Sequence, residues 1–147
     1  MAVEFWTMAN PKFLDGASEA VRAEEVGYDG IVYVDSQNLA GDCYVAIALA
    51  AQATSTIKLG TGVTNSFTRH PAVTASAIAT LQVASGGRAY LGIGRGDSAL
   101  AHLGRAPHPV AAFEDYLVRL QGYLSGEEVP FEAGGDIDSL GLADYSG

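Results

Sequence analysis

The sequence predicts a parallel α/β fold, and three observations carry that prediction. Apolar strand candidates begin near Val3, Gly30, Ile57 and Ala89, a spacing of about thirty residues that suits one strand–helix unit. Helix-forming stretches lie between them, opened by proline or a capping side chain and closed by glycine. Glycine-rich and polar runs follow the third and fourth strands, at the end where α/β proteins bind ligands. Strict alternation forces parallel pairing with right-handed crossovers, because each helix returns the chain to the starting edge. The pattern alone leaves two architectures open, a small open sheet and half of a barrel.

Taken in order, the first strand starts near Val3, and Asn10-Pro11 opens a first helix that Gly27 closes. A second strand follows from Gly30. Asp42 caps a second helix running through Ala, Val, Ile and Leu to about Ala53. Ile57 to Gly62 reads as a short buried strand, and Pro71 suits the first turn of a third helix reaching about Ala84, where its missing N–H is not needed. The fourth strand starts near Ala89. The last helix is the clearest: Val110, Phe113, Leu117, Leu120 and Leu124 recur at steps of three and four and form one apolar stripe, with Pro109 before it and Gly126 after it.

With 147 residues, 48% of them hydrophobic, the chain can bury one core of ordinary domain size. Eight basic residues against 17 acidic ones give a net charge of −9. Such a surface repels nucleic-acid backbones and anionic lipid, so no nucleic acid and no membrane is expected as a partner. A local arginine cluster is still able to hold one cofactor phosphate. Cys43 is the single cysteine and cannot form an internal disulfide. No Cys/His cluster has zinc-site spacing, so no metal is expected, and a reducing cytoplasmic location fits. The first residues lack a basic segment followed by an apolar core, and no apolar run approaches the ~18 residues of a membrane span.

Two motifs carry the functional reading. The first is Leu59-Gly-Thr-Gly-Val-Thr-Asn-Ser-Phe-Thr-Arg-His-Pro71, and the second is Ser85-Gly-Gly-Arg-Ala-Tyr-Leu-Gly-Ile-Gly-Arg-Gly-Asp97. Each places glycines and polar groups directly after an apolar strand. Joined by the helix Thr74-Ala-Ser-Ala-Ile-Ala-Thr-Leu-Gln82, they resemble the luciferase-like superfamily of flavin- and deazaflavin-dependent oxidoreductases, and within it the methylenetetrahydromethanopterin reductase branch, which uses coenzyme F420. The resemblance runs from about Phe5 to about Glu132 and is densest between Lys58 and Asp97.

That resemblance implies a TIM (β/α)8 barrel. Because a whole barrel needs ~250 residues, this chain holds four units, a parallel (βα)4 half, over 1–135. Residues 127–135 resemble a short extended insertion, and 136–147 form a polar, glycine-rich tail. The resemblance further implies a non-prolyl cis bond at Gly62-Val63, with Gly62, Val63 and Thr64 backing the cofactor ring and Gly94 allowing its close approach. It implies coenzyme F420 as the favoured cofactor, with FMN as the alternative, and a small-molecule substrate as the partner. Asp35 stands where relatives place an acid that contacts ring or substrate, and Asp97 matches an acid on the substrate side; both are catalytic candidates. Two departures matter. Ser36 replaces a histidine common after that first acid, and Thr7, Met8 and Ala9 stand where the reductase branch has a glutamate, which argues for a substrate other than the pterin.

Other features are weaker. Gly92-x-Gly94-x-Gly96 lacks the spacing of a dinucleotide fingerprint. Arg69 suits a salt bridge and His70 a helix cap. His102 and His108 sit in a segment expected to cover the mouth after the fourth strand. Ser36, Ser66 and Ser98 lie in no nucleophile elbow. Against a flavin- or deazaflavin-dependent oxidoreductase stand an FMN-dependent monooxygenase, a noncatalytic half-barrel completed as a homo-oligomer or by a missing carboxyl-terminal half, and a complete small open-sheet binding protein.

Overall fold

The computed structural model describes residues 3–12, 15 and 17–130. Four strands, β1 (Trp6–Ala9), β2 (Gly30–Tyr33), β3 (Lys58–Asn65) and β4 (Ala89–Gly94), form one parallel sheet in the order β1-β2-β3-β4. The helices are α1 (Ser18–Glu25), α2 (Cys43–Ala53), α3 (Pro71–Ala84), a short α4 (Asp97–Ala101) and α5 (Val110–Ser125). Sequential strand order with a helix in each crossover is the topology of consecutive barrel units.

Registry sorts the side chains. Trp6 pairs with Gly30 and Gly30 with Lys58, so Ile31, Tyr33 and Leu59 turn to the opposite face. There they are almost fully buried with Ala46, Ile47 and Ala50 of α2 and Ile78 and Leu81 of α3. The other face is lined by glycines beside large rings. A Cβ on Gly30 would lie 2.3 Å from the Trp6 ring, and one on Gly60 3.2 Å from Tyr90 Cβ. Trp6 and Tyr90, on strands at opposite ends of the sheet, meet edge to face with centroids 5.3 Å apart. Trp6 reaches Tyr90 by leaning across Gly30 of the next strand, and this side, away from the helices, is the concave one in a barrel-type half. Sequential parallel order with α1, α2, α3 and α5 all packed on the opposite face is the arrangement of a barrel-type half and not of a doubly wound open sheet.

The structure corrects two elements. Asn10-Pro11 does not open the first helix: Pro11 O accepts a bond from Gly41 N at 2.9 Å, and the helix starts at Ser18, whose N–H donates to Asp15 Oδ1 at 3.1 Å. In α5 the apolar stripe does not mark the whole seam. Val110 is 65% and Leu124 47% exposed, and the buried contact with α3 is made by Tyr116 and Leu120 against Ala75, with Thr74 Oγ1 and Tyr116 Oη 2.6 Å apart. A tyrosine that finds a buried hydroxyl partner can occupy a position that a hydrophobic count passes over. Helices α2, α3 and α5 otherwise run as their caps predict: Asp42 accepts from Tyr44 and Val45 N–H, Pro71 is the first residue of α3, and Gly126 closes α5 with φ 72°. The insertion beyond residue 130 and the tail at 136–147 lie outside the described residues. No helix among the described residues is long and apolar enough to cross a membrane.

Candidate active site

At the carboxyl ends of β2, β3 and β4 lies a cleft of about 340 Å³, lined by Asp35, Gly62, Val63, Asn65, Gly94 and Asp97 together with neighbouring backbone. Its floor is a bulge in β3. Thr61 pairs with Leu91 and Thr64 with Ile93, so Gly62 and Val63 together oppose Gly92. The Gly62–Val63 peptide is cis, the form the family resemblance implies. Packing compels the glycines: a Cβ on Gly62 would lie 2.3 Å from a Val32 methyl, and one on Gly92 2.4 Å from the Thr61 carbonyl oxygen. Val63 is 55% exposed, and its methyls stand 3.1 and 3.5 Å from where Cβ atoms on Gly92 and Gly94 would sit. An apolar side chain and bare strand backbone thus make one face.

Asp35 follows β2 and is buried, 4% exposed. Both carboxylate oxygens are engaged: Gln37 Nε2 donates to Oδ1 at 2.7 Å and Thr64 Oγ1 to Oδ2 at 2.6 Å. Thr64 comes directly after the bulge, so Asp35 ties the end of β2 to the loop that shapes the cleft floor. Cys43 lies alongside, fully buried. Burial, reinforced by the Asp35 charge, pushes its thiol far up, so it stays protonated and inert at neutral pH.

The bulge also changes which way β3 presents its side chains. Asn65 pairs with Gly94 and so turns to the concave face, and it is 2% exposed. Its Oδ1 accepts from Phe67 and Thr68 N–H at 3.0 and 2.9 Å, while its Nδ2 is buried without a partner. Gly96 turns the chain into α4 with φ 81°, and a Cβ there would lie 2.8 Å from Asn65 Cβ, so both conformation and space require glycine. Asp97, the first residue of α4, is exposed at the cleft rim.

Sequence reasoning brought Asp35, Gly62, Val63, Thr64, Gly94 and Asp97 to one place, and all six line the cleft. It did not single out Asn65, because the extra residue that turns Asn65 inward is invisible to a count of alternation. His70 caps α3 through Nδ1, accepting from Ala72 N–H at 3.1 Å, and Arg69 pairs with Asp42 and lies over the Tyr44 ring. His108 lies in the segment expected to cover the mouth: its Nδ1 is 2.9 Å from Ser66 Oγ, and its backbone N–H donates to Arg95 O at 2.9 Å, which ties the segment to the ends of β3 and β4. His102 is exposed and does not line the cleft. Among the described residues no group of three or more His, Cys, Asp or Glu is arranged to hold a metal.

Comparison with known proteins gives the ancestry of this geometry. Residues 5–138 match the family model described as luciferase-like monooxygenase. The chain belongs to that family. It is 39% identical over 129 residues, 86% of its length, to a 5,10-methylenetetrahydromethanopterin reductase of Methanolobus tindarius, of which it covers 39%. Its fold matches the coenzyme F420-dependent tetrahydromethanopterin reductase of Methanopyrus kandleri with a TM-score of 0.76 and 32% identity, over 90% of this chain and 43% of that one. It also matches the FMN-bound oxygenating constituent of 3,6-diketocamphane monooxygenase from Pseudomonas putida, with a TM-score of 0.77, 24% identity and 91% and 42% of the two chains covered; at that identity the likeness is one of fold. The chain therefore spans about two fifths of the length of the relatives it matches.

Proposed function

We propose that the chain is the amino-terminal half of a flavin- or deazaflavin-dependent oxidoreductase that transfers hydride to or from a small organic substrate, with coenzyme F420 favoured over FMN. The observation that carries this reading is the flat face made by Val63 over the bare backbone of Gly92 and Gly94. A planar tricyclic ring can lie on such a face, where any side chain on β4 would hold it off. The orphaned Asn65 Nδ2 beside that face is a donor matched to a ring carbonyl. F420 is favoured because the relatives that share 39% and 32% identity are reductases, one of them named for that coenzyme.

When bound, the cofactor supplies the hydride chemistry. The protein's part is to bind, orient and manage protons. Gly62, Val63 and Thr64 back the ring, and Gly94 leaves it room. Asp35 acts through Thr64, holding the bulge in place. Asp97, at the rim and open to solvent, is the acid placed to hold or move a proton on the substrate. Ser36, beside the cleft, has no imidazole to offer, and Thr7, Met8 and Ala9 put no carboxylate on β1. These departures separate the substrate from the pterin of the reductases.

A second reading rests on a specific observation. β1 and β4 are the outer strands of the sheet among the described residues, and Met8 and Tyr90 on its concave face are 65% and 45% exposed. The cleft has a floor and one wall, so tight binding calls for further strands, from the rest of a longer chain or from a second molecule. The test is a titration of the folded chain with FMN and with F420, following quenching of ligand fluorescence. Saturable micromolar binding of F420 that Gly94→Val abolishes supports the site; preference for FMN moves the reading to the monooxygenases. No quenching of either ligand overturns a site assembled within these residues.

A further inference from the structure

The chain's 8 basic residues all fall among the described residues, and all but one have their charge answered within the protein. Lys12 pairs with Glu19, Arg22 with Glu25, Lys58 with Glu4, Arg69 with Asp42 and Arg119 with Asp115. Arg88 donates to backbone carbonyls and to Thr54 Oγ1, and Arg105 lies over the Phe67 ring, 5.0 Å from its centroid. Arg95 is the exception: its guanidinium has no ion pair, hydrogen bond or ring contact among the described residues. Carboxylates are not scarce, since the chain has 17 acidic residues and Asp97 stands close by in the sequence. Arg95 is exposed and lines the same cleft as Asp97, directly after the bare backbone of Gly94.

We infer that Arg95 anchors the substrate, and that the substrate is a small organic anion whose carboxylate or phosphate group it holds at the rim of the cleft. This names the substrate class for the oxidoreductase reading and rests on that reading. A guanidinium presents a planar fork of N–H donors that matches either group in a bidentate pair. Its placement counters the field of the whole chain: a net charge of −9 repels small anions, and an unneutralised cation at the cleft draws them back. The carboxylates of the cleft leave room for this. Both Asp35 oxygens are engaged by Gln37 and Thr64, so Asp97 is the one lining carboxylate left open to a ligand. A substrate that meets Arg95 with its anion and Asp97 with its reacting hydroxyl or carbonyl is held at two points, which fixes its orientation against the ring. The anion belongs to the substrate and not to the cofactor, because Arg95 adjoins the face proposed for the ring, whereas the phosphate of FMN or F420 lies at the far end of a ribityl chain.

The test follows the Nε–Hε resonances of the arginines by NMR in the isotope-labelled 147-residue chain, while sodium acetate or sodium phosphate is added to about 20 mM at fixed ionic strength. Arg95→Met identifies the Arg95 resonance by its loss and, at an exposed side chain without contacts, keeps the wild-type circular dichroism. Expected is a saturable shift of the Arg95 resonance with at least one of the two anions, about tenfold tighter than at Arg105, the other arginine that has neither an ion pair nor a hydrogen bond. Arg95→Lys, which keeps the charge and loses the fork, should weaken that binding about fivefold. No saturable shift at Arg95, or an equal response at Arg105, overturns the inference. A second arm separates substrate from cofactor by fluorescence quenching of wild type and Arg95→Met with FMN against riboflavin, and with F420 against its phosphate-free deazaflavin ribityl fragment. Equal affinities of wild type and variant for each ligand support a substrate anion; a variant that loses affinity only for the phosphorylated ligands assigns Arg95 to the cofactor and overturns the inference. A chain whose Arg95 captures anions while no ring binds overturns the ring site alone, so the two failures are told apart.

Discussion

The two ends of the sheet differ in how completely their polar groups are paired. At the amino end, polar side chains are saturated. Glu24, at the end of α1, accepts from the backbone N–H of Ser55, Thr56 and Ile57 and from Thr56 Oγ1 at 2.6–3.2 Å. Arg88, just before β4, gives its guanidinium to Ser85 O, Thr54 Oγ1, Ile57 O, Ala51 O and Thr54 O at 2.7–3.1 Å, binding the carboxyl ends of α2 and α3 to the starts of β3 and β4. At the carboxyl end saturation is incomplete, although Asp35 and His70 are fully engaged there. Asn65 Nδ2, Gln37 Oε1 and Thr68 Oγ1 are buried without partners, Val63 stands exposed, and glycines leave the backbone bare. Buried polar groups without partners are costly; their gathering at one end marks where the fold gives up stability for a surface that something else completes.

Breaking the amino end should therefore cost stability and leave the site's chemistry alone. Arg88→Met removes five hydrogen bonds and strands several carbonyls, so a loss of about 3–5 kcal/mol is expected in urea unfolding. Circular dichroism of the variant at low temperature separates reduced stability from misfolding. The reverse experiment is Gly94→Val. A Cβ there has ordinary clearance, 3.5 Å to the nearest Val63 methyl, so stability should shift by less than about 1 kcal/mol, while the added methyls stand on the face proposed for the ring and should weaken cofactor binding more than tenfold. A Gly94→Val chain that binds as wild type removes that face from the site.

The same contrast explains what was legible in the sequence. Strand–helix alternation, Asp42, Pro71 and Gly126 mark local chemistry, caps and breakers whose effect is confined to a turn, and they appear where the pattern puts them. The amino-end clamps were not legible, because Glu24 and Arg88 act across about thirty residues, and neither one more glutamate in a charged helix nor a lone arginine in a glycine-rich run has a local signature. Asn65 was hidden by the bulge at Gly62 and Val63, which shifts the alternation of β3 by one residue. The start of α1 was misplaced because Pro11 resembles a helix opener but is held by Gly41, a contact between distant loops. The six cleft residues were found through family resemblance, since periodicity says only that loops follow strands.

The amino end can be sharpened by pH. Burial raises the Glu24 carboxyl, but the backbone N–H donors of Ile57, Thr56 and Ser55 outweigh it and hold the group down to about 2, from an ordinary value of 4.5. A group lowered on folding stabilises the protein fully above its unfolded value and loses that contribution as pH falls through its folded value. The difference in unfolding free energy between wild type and Glu24→Gln should then be constant above pH ~5, at about 1–2 kcal/mol for a partly exposed, hydrogen-bonded carboxylate, and shrink between pH 4.5 and pH 2. A difference that does not vary with pH would show that glutamine replaces the clamp.

The smallest expected effect on stability belongs to the carboxyl end and separates the two acids there. Asp97 is exposed and makes no hydrogen bond through which it could brace the fold among those described, so Asp97→Asn should change unfolding free energy by less than about 0.5 kcal/mol. Asp35 is buried with both oxygens engaged, and Asp35→Asn keeps the shape but turns one acceptor into a donor facing Thr64 or Gln37, which should cost about 1–2 kcal/mol. In a chain or assembly that turns over substrate, Asp97→Asn should lower kcat and shift its pH profile while cofactor affinity holds, and Asp35→Asn should weaken cofactor affinity by loosening the bulge. If the two substitutions instead exchange these signatures, the proton-handling acid is the buried one, and the rim carboxylate serves only to end a loop.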